Sequence, residues 1–138
     1  MPAMTIESQT DDIKCLRTHV VRGEINLPDL STFLSGLYVS KDFFPTYHAL
    51  WDVREANFKK VTQPDIQELA TFVRVHWAEK QKLRAAIVVS GVFPYGMSRM
   101  YEQSIGPSGF GKIRIFRDLD EAQSWLSKPD TASPLPCP

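Results

Sequence analysis

Ala85-Ala86-Ile87-Val88-Val89 is the stretch that most restricts what this chain can fold into. An unbroken apolar run of this length, rich in β-branched side chains, suits a strand covered on both faces, as in the middle of a parallel sheet. Ser90-Gly91-Val92-Phe93-Pro94 then reads as a turn, and Tyr95 to Tyr101 as the start of a helix. A central strand, a polar turn and a helix N-terminus in succession mark the place where open α/β sheets hold ligands. The pattern locates a site before it says what the site does.

On the N-terminal side, Met4–Ser8 and Ile13–Arg22 favour strand, with polar Gln9-Thr10-Asp11-Asp12 between them, so a hairpin with an antiparallel edge strand is expected. In the second strand Cys15, Arg17, His19 and Val21 alternate with Leu16, Thr18 and Val20, and Gly23 ends it. Asn26-Leu27-Pro28-Asp29 opens a helix whose apolar stripe is Leu30, Phe33, Leu34 and Leu37. Asp42–Thr46 is a loop and Tyr47–Val53 a strand. Thr62-Gln63-Pro64-Asp65 forms a capping box, and Ile66, Leu69, Ala70, Val73 and Trp77 share one helix face. Lys112–Phe116 alternates as a half-buried strand, and Asp118 caps a last helix that buries Ala122, Trp125 and Leu126. Strands alternating with helices require a largely parallel sheet with right-handed crossovers. The expected fold is therefore α/β: a mostly parallel sheet of four to five strands, an antiparallel N-terminal edge strand, and helices on both faces.

Composition sets bounds on partners. The 138 residues make one domain, expected over 1–128, followed by a proline-rich tail over 129–138. Sixteen Lys plus Arg offset sixteen Asp plus Glu, which leaves no electrostatic footprint for nucleic acid or an anionic membrane. No apolar run approaches the roughly 18 residues that span a bilayer. Met1–Asp12 has no apolar signal-peptide core, so a cytoplasmic location is expected. Cys15 and Cys137 lack metal-ligand spacing and are expected as free thiols.

Trp51-Asp52-Val53-Arg54, the run Tyr95-Gly96-Met97-Ser98-Arg99-Met100-Tyr101, and Phe116-Arg117-Asp118-Leu119-Asp120-Glu121-Ala122 with Trp125-Leu126 resemble the STAS-like, SpoIIAA-like family. That family groups with the anti-sigma-factor antagonists and, more distantly, with CRAL-TRIO lipid-binding domains. The resemblance covers Ile13 to Leu126 and implies a β/α fold of four strands plus helices. It implies no activity, because most of this branch has none assigned. Antagonists of the family carry Asp-Ser-Ser-Gly where a switch serine is phosphorylated; here Lys60-Val61-Thr62-Gln63 stands in its place. Thr62 is thus the phospho-switch candidate, against its ordinary role as a helix cap.

Other motifs fail on context. Gly106–Lys112 fits a phosphate-loop string, but Ile113 replaces the Ser or Thr that would bind magnesium, and a strand follows instead of a helix. Gly96-Met97-Ser98-Arg99-Met100 begins like a nucleophile elbow, yet Met100 takes the place of its second glycine. His19, His48 and His76 have no spacing that nominates a base. Asp52, inside an apolar strand, needs a partner; Arg54 is expected on the other face, which leaves Arg99 to pair with Asp52 or Glu102, or to hold an anion beside Ser90 and Ser98. Met97, Met100 and Tyr101, with Phe93 and Tyr95, pack the core or line an apolar pocket beside the turn.

The expected function is a non-enzymatic binding or regulatory module with its site at the Ser90–Arg99 turn. Ser90, Tyr95, Ser98, Arg99 and Met100 are the candidate contacts for a small apolar or anionic ligand or a protein partner. The alternatives are a phospho-switched partner protein acting through Thr62, and a hydrolase using Ser98. No cofactor, metal, nucleic acid or membrane span is expected, and a homodimer remains open.

Overall fold

The computed structural model describes residues 3–39, 47–77, 84–105 and 112–128, with the side chains of Tyr38, His76, Trp77 and Lys112 left out. The expected loop at Asp42–Thr46, the Gly106–Gly111 segment and the proline-rich tail all lie outside the described residues.

The first reversal is built by Asp11. Its carboxylate accepts hydrogen bonds from the Ile13 and Lys14 N–H groups at 3.0 Å each, a side-chain mimic of a turn. Cys15 closes the reversal in the left-handed region at φ 54. The turn therefore falls at Asp12–Cys15, later than the polar Gln9–Asp12 segment suggested, and Ile13 stands at its tip almost fully exposed. It joins β1 (Thr5–Asp11) to β2 (Leu16–Glu24) in an antiparallel pair. The free thiol expected at Cys15 is not present: Cys15 is disulfide-bonded, and Cys137 lies outside the described residues. Spacing along the chain could not reveal this, because a disulfide depends on proximity in the folded state.

Each later element follows from a local signal. Asn26 caps α1 (Leu27–Val39), its side-chain oxygen accepting from Asp29 N–H at 3.0 Å. β3 runs from His48 to Asn57, past the expected end at Val53. Thr62 and Asp65 form the reciprocal box before α2 (Gln63–Trp77): Thr62 N–H donates to Asp65 Oδ2 at 3.1 Å, and Asp65 N–H to Thr62 Oγ1 at 3.3 Å. β4 is Arg84–Val88, and α3 spans Val92–Ile105. The expected turn through Pro94 is thus already helical. Gly91, at φ +96, makes the reversal alone, and a proline in a helix's first turn loses no intrahelical hydrogen bond. β5 is Lys112–Phe116, and Asp118 caps α4 (Leu119–Ser127) by accepting from the N–H groups of Asp120 and Glu121.

The sheet has five strands in the order β1-β2-β3-β4-β5, parallel from β2 onward. Sequential order means that every parallel crossover steps the same way, and right-handed crossovers then place α1, α2 and α3 on one face. The packing agrees: Val21, Ala49, Val53, Ala85 and Ile115 pack with Leu34, Leu69 and Met97 of those helices. The opposite face carries Leu50, Ala86, Val88 and Phe116 against Ala122 and Leu126 of α4. β4 is therefore central and covered on both sides, as its unbroken apolar run requires.

Between β2 and β3 the register slips: Val20 lies opposite Asp52, but Arg22 lies opposite Glu55. The extra β3 residue makes a bulge. Arg54, expected on the other face, instead grips Asp52 with two hydrogen bonds, Nε to Oδ1 at 2.9 Å and Nη2 to Oδ2 at 2.8 Å. Residues two apart in a strand share a side, and the bulge keeps them together. That fork holds the Asp52 carboxyl below its ordinary range, chiefly by the Arg54 side-chain hydrogen bond.

Candidate functional site

Beneath α1–α3 the packing leaves a cavity of about 120 Å³. Its roof is Leu30, Leu34 and Leu37 from α1 and Leu69 and Val73 from α2; its floor is Ala49, Trp51, Ala85 and Ile87 of the sheet. The floor combines two alanines with larger side chains. Two adjacent strands offering only a methyl group at the same level cannot fill the space under leucines spaced for a helix face. Such a volume is comparable to that of apolar protein cavities that accept a single benzene ring.

Polar groups are sparse on this wall. Ser98 lies on α3 at 5% exposure and is part of the cavity wall. Tyr101, one helical turn on, lines the same space. Arg17 of β2 is 4% exposed and forms part of the wall. Alternation along β2 puts it on the same face as Cys15, His19 and Val21, and that face is the one covered by helices.

His19 is the most enclosed polar side chain near this wall, at 1% exposure. Its ring lies 4.3 Å from the Trp51 ring and edge-on to Phe33 at 5.8 Å. Nδ1 shares a 2.7 Å hydrogen bond with Ser8 Oγ, and Nε2 is buried with no hydrogen-bond partner among the described residues. Burial first, and then the Arg17 charge, push its pKa down to about 4. At neutral pH it is an uncharged ring inside an aromatic cluster, an arrangement that suits structure more than proton transfer.

The residues proposed from sequence part company here. Ser98 reaches the cavity. Met100 and Tyr95 are half-buried against the same apolar cluster, and the Arg117 guanidinium lies 4.2 Å over the Tyr95 ring. Ser90 is exposed at the exit of β4. Arg99 is on the outer side of α3 and pairs with Glu102, one of the two partners its neighbours offered. Thr62 is exposed at the start of α2 with its hydroxyl engaged in the capping box. Arg17 was not singled out by the sequence. The available signal was a charge on the same strand face as Val21, and it becomes informative only once helices cover that face. Among the described residues no three His, Cys, Asp or Glu side chains gather as a metal site needs, and no helix is long and apolar enough to cross a membrane.

A mixed five-stranded sheet in sequential order, three helices on one face and one on the other, is the SpoIIAA-like fold. The chain superposes on the crystal structure of an uncharacterised DUF3478-family protein with a SpoIIAA-like fold from Shewanella loihica PV-4, at a TM-score of 0.57 and 17% sequence identity. The match covers 89% of this chain and 93% of that one. No family model matches the sequence, and no curated protein matches it significantly.

Proposed function

We propose that this chain is a non-enzymatic binding or regulatory module that takes a small apolar ligand into the cavity beneath α1–α3. One observation carries the reading: the packing of α1–α3 on the sheet leaves a cavity of about 120 Å³ walled mostly by hydrocarbon side chains. A small apolar guest placed there would gain the contacts that the lining side chains lack on their inner side. The lining that Ser98 belongs to contains no His, Asp or Glu, which supports a lining role over that of a nucleophile. Two-dimensional NMR titration with toluene and indole tests the reading. Saturable shifts at Leu34, Val73 and Ala85 that vanish in Val73→Phe are expected; a silent titration in the folded wild type removes it.

A protein partner at the Ser90–Arg99 turn is the second reading, favoured by the adjacent exposed side chains of Val92 and Phe93 on the first turn of α3. Pull-down with a Val92→Ser, Phe93→Ser double variant tests it, since a specific partner should be lost. A phospho-switch at Thr62 receives less support, because its hydroxyl already accepts from Asp65 N–H and an acidic side chain lies beside it. Intact-mass analysis of protein from its native host decides that point.

A further inference from the structure

The two edges of the sheet are guarded unequally. β5 is a five-residue edge that carries Lys112 and Arg114, and α3 and α4 pack on it. Antiparallel self-pairing about its middle residue would set Arg114 against its own copy, and like charges directly opposite disfavour pairing. β1 is seven residues long, pairs only with β2, and is exposed along its length apart from half-buried Ile6. It contains no proline or lysine. Its register with β2 runs one to one from Thr5↔Arg22 to Asp11↔Leu16, so no bulge blunts it. Such a strand offers its outer row of backbone N–H and C=O groups as a template for another strand.

The charges on β1 say which strand fits. A copy related by a two-fold axis perpendicular to the sheet pairs antiparallel. That axis passes through a residue, because side chains opposite one another share a side of the sheet. An axis at Glu7 sets two glutamates together, and an axis at Gln9 sets Glu7 against Asp11. Axes further out leave most of the strand unpaired. An axis at Ser8 pairs the whole strand, with Thr5 opposite Asp11 and Glu7 opposite Gln9, and no like charges meet. Ile6 then gains the methyl group of Thr10 on the helix-covered side. Glu7 pairs with Arg22 of its own protomer at 3.0 Å but keeps 70% of its side chain exposed, so its charge still reaches a neighbour. We propose that a second copy of this chain binds along β1 in the Ser8-centred register, joining the two sheets into one. A single strand pair stands at the low end of interface sizes, below about 1,200 Å², so the dimer is weak and concentration-dependent. The interface is independent of the cavity and of any ligand in it.

Sedimentation velocity of the full chain, over a series reaching millimolar protein, tests this with Gln9 altered in both directions. Gln9 is exposed and lies opposite Thr18 of β2, so either charge should leave the protomer folded; thermal unfolding of the dilute variants checks that. Gln9→Glu should weaken the dimer about fivefold and Gln9→Lys tighten it about fivefold, because the partner's Glu7 stands opposite and the axis repeats the pair. Amide exchange should slow with rising concentration at alternate residues of β1. A monomer throughout the series, indifference to the charge introduced at Gln9, or weakening by both charges overturns the proposal. So does a dimer whose β1 amides exchange as fast as those of the monomer.

Discussion

The two faces of the sheet bury an arginine each, and they use it differently. On the α4 face Arg84 is bound into the structure: its Nη1 donates to the Trp125 and Lys128 carbonyls at 2.7 and 2.6 Å, and its backbone N–H donates to His48 Nδ1 at 2.9 Å. Carbonyls at a helix C-terminus lack intrahelical donors and carry partial negative charge, so a cation there fastens α4 to β4. On the other face Arg17 lines a cavity. The packing differs in the same sense. Ala86, Val88 and Ala122 are completely buried in the α4 cluster, where small side chains allow close approach, whereas the α1–α3 face combines leucines and alanines around an open volume. One face is built for cohesion and the other holds space.

The contrast can be broken by truncation. Leu50→Ala, in the α4 cluster, should cost about 3–5 kcal/mol of unfolding free energy, because the void it creates is new. Leu34→Ala, beside an existing cavity, should fall near 2 kcal/mol, since its side chain already lacks neighbours on one side. Urea denaturation of both measures the gap, and equal losses would erase the distinction.

Acid should act on the cavity face. Between pH 6.5 and about 4 the unfolded chain holds a proton on His19 that the folded chain does not. The folded state binding fewer protons means that stability falls as pH falls through this window and levels off below it. The full loss is about 3 kcal/mol for a shift of this size. Urea midpoints at pH 7, 5.5 and 4 check it; in His19→Asn the slope across the window should shrink.

Filling sharpens the comparison further. Ala122→Val on the α4 face should destabilise by about 1–3 kcal/mol through overpacking. Val73→Phe, into the cavity, should be neutral or stabilise by about 0.5–2 kcal/mol. Thermal unfolding separates the two by sign. The smallest effect is expected outside both faces: Thr62→Ala should cost about 1 kcal/mol by removing one half of the capping box.

Residue patterns made much of this architecture legible. The apolar run at Ala85–Val89 placed β4 in the centre because only a strand covered on both faces can bury every side chain of such a run. The caps at Asn26, Thr62 and Asp118 stood where the sequence put them, since a cap is satisfied within three residues of itself. Boundaries moved where a single residue settled the backbone: Asp11 and Cys15 delayed the first turn, and Gly91 let α3 begin before Pro94. The pairing of Asp52 with Arg54 was in fact legible, since strand alternation puts residues two apart on one side; expecting Arg54 on the other face misapplied that period.

The candidate site was legible only in part. Ser98 was nominated for its place after the central strand, and it faces the cavity because helical spacing turns it inward with Tyr101. Arg17 and His19 carried no local sign of burial; each is a polar residue in an alternating strand. Local sequence determined which segments became strands and helices, because caps, turns and periodicity act over a few residues. Which face of β2 the helices covered, and whether the space beneath them was filled, depended on side chains from several elements meeting across the fold, and only tertiary packing could decide that.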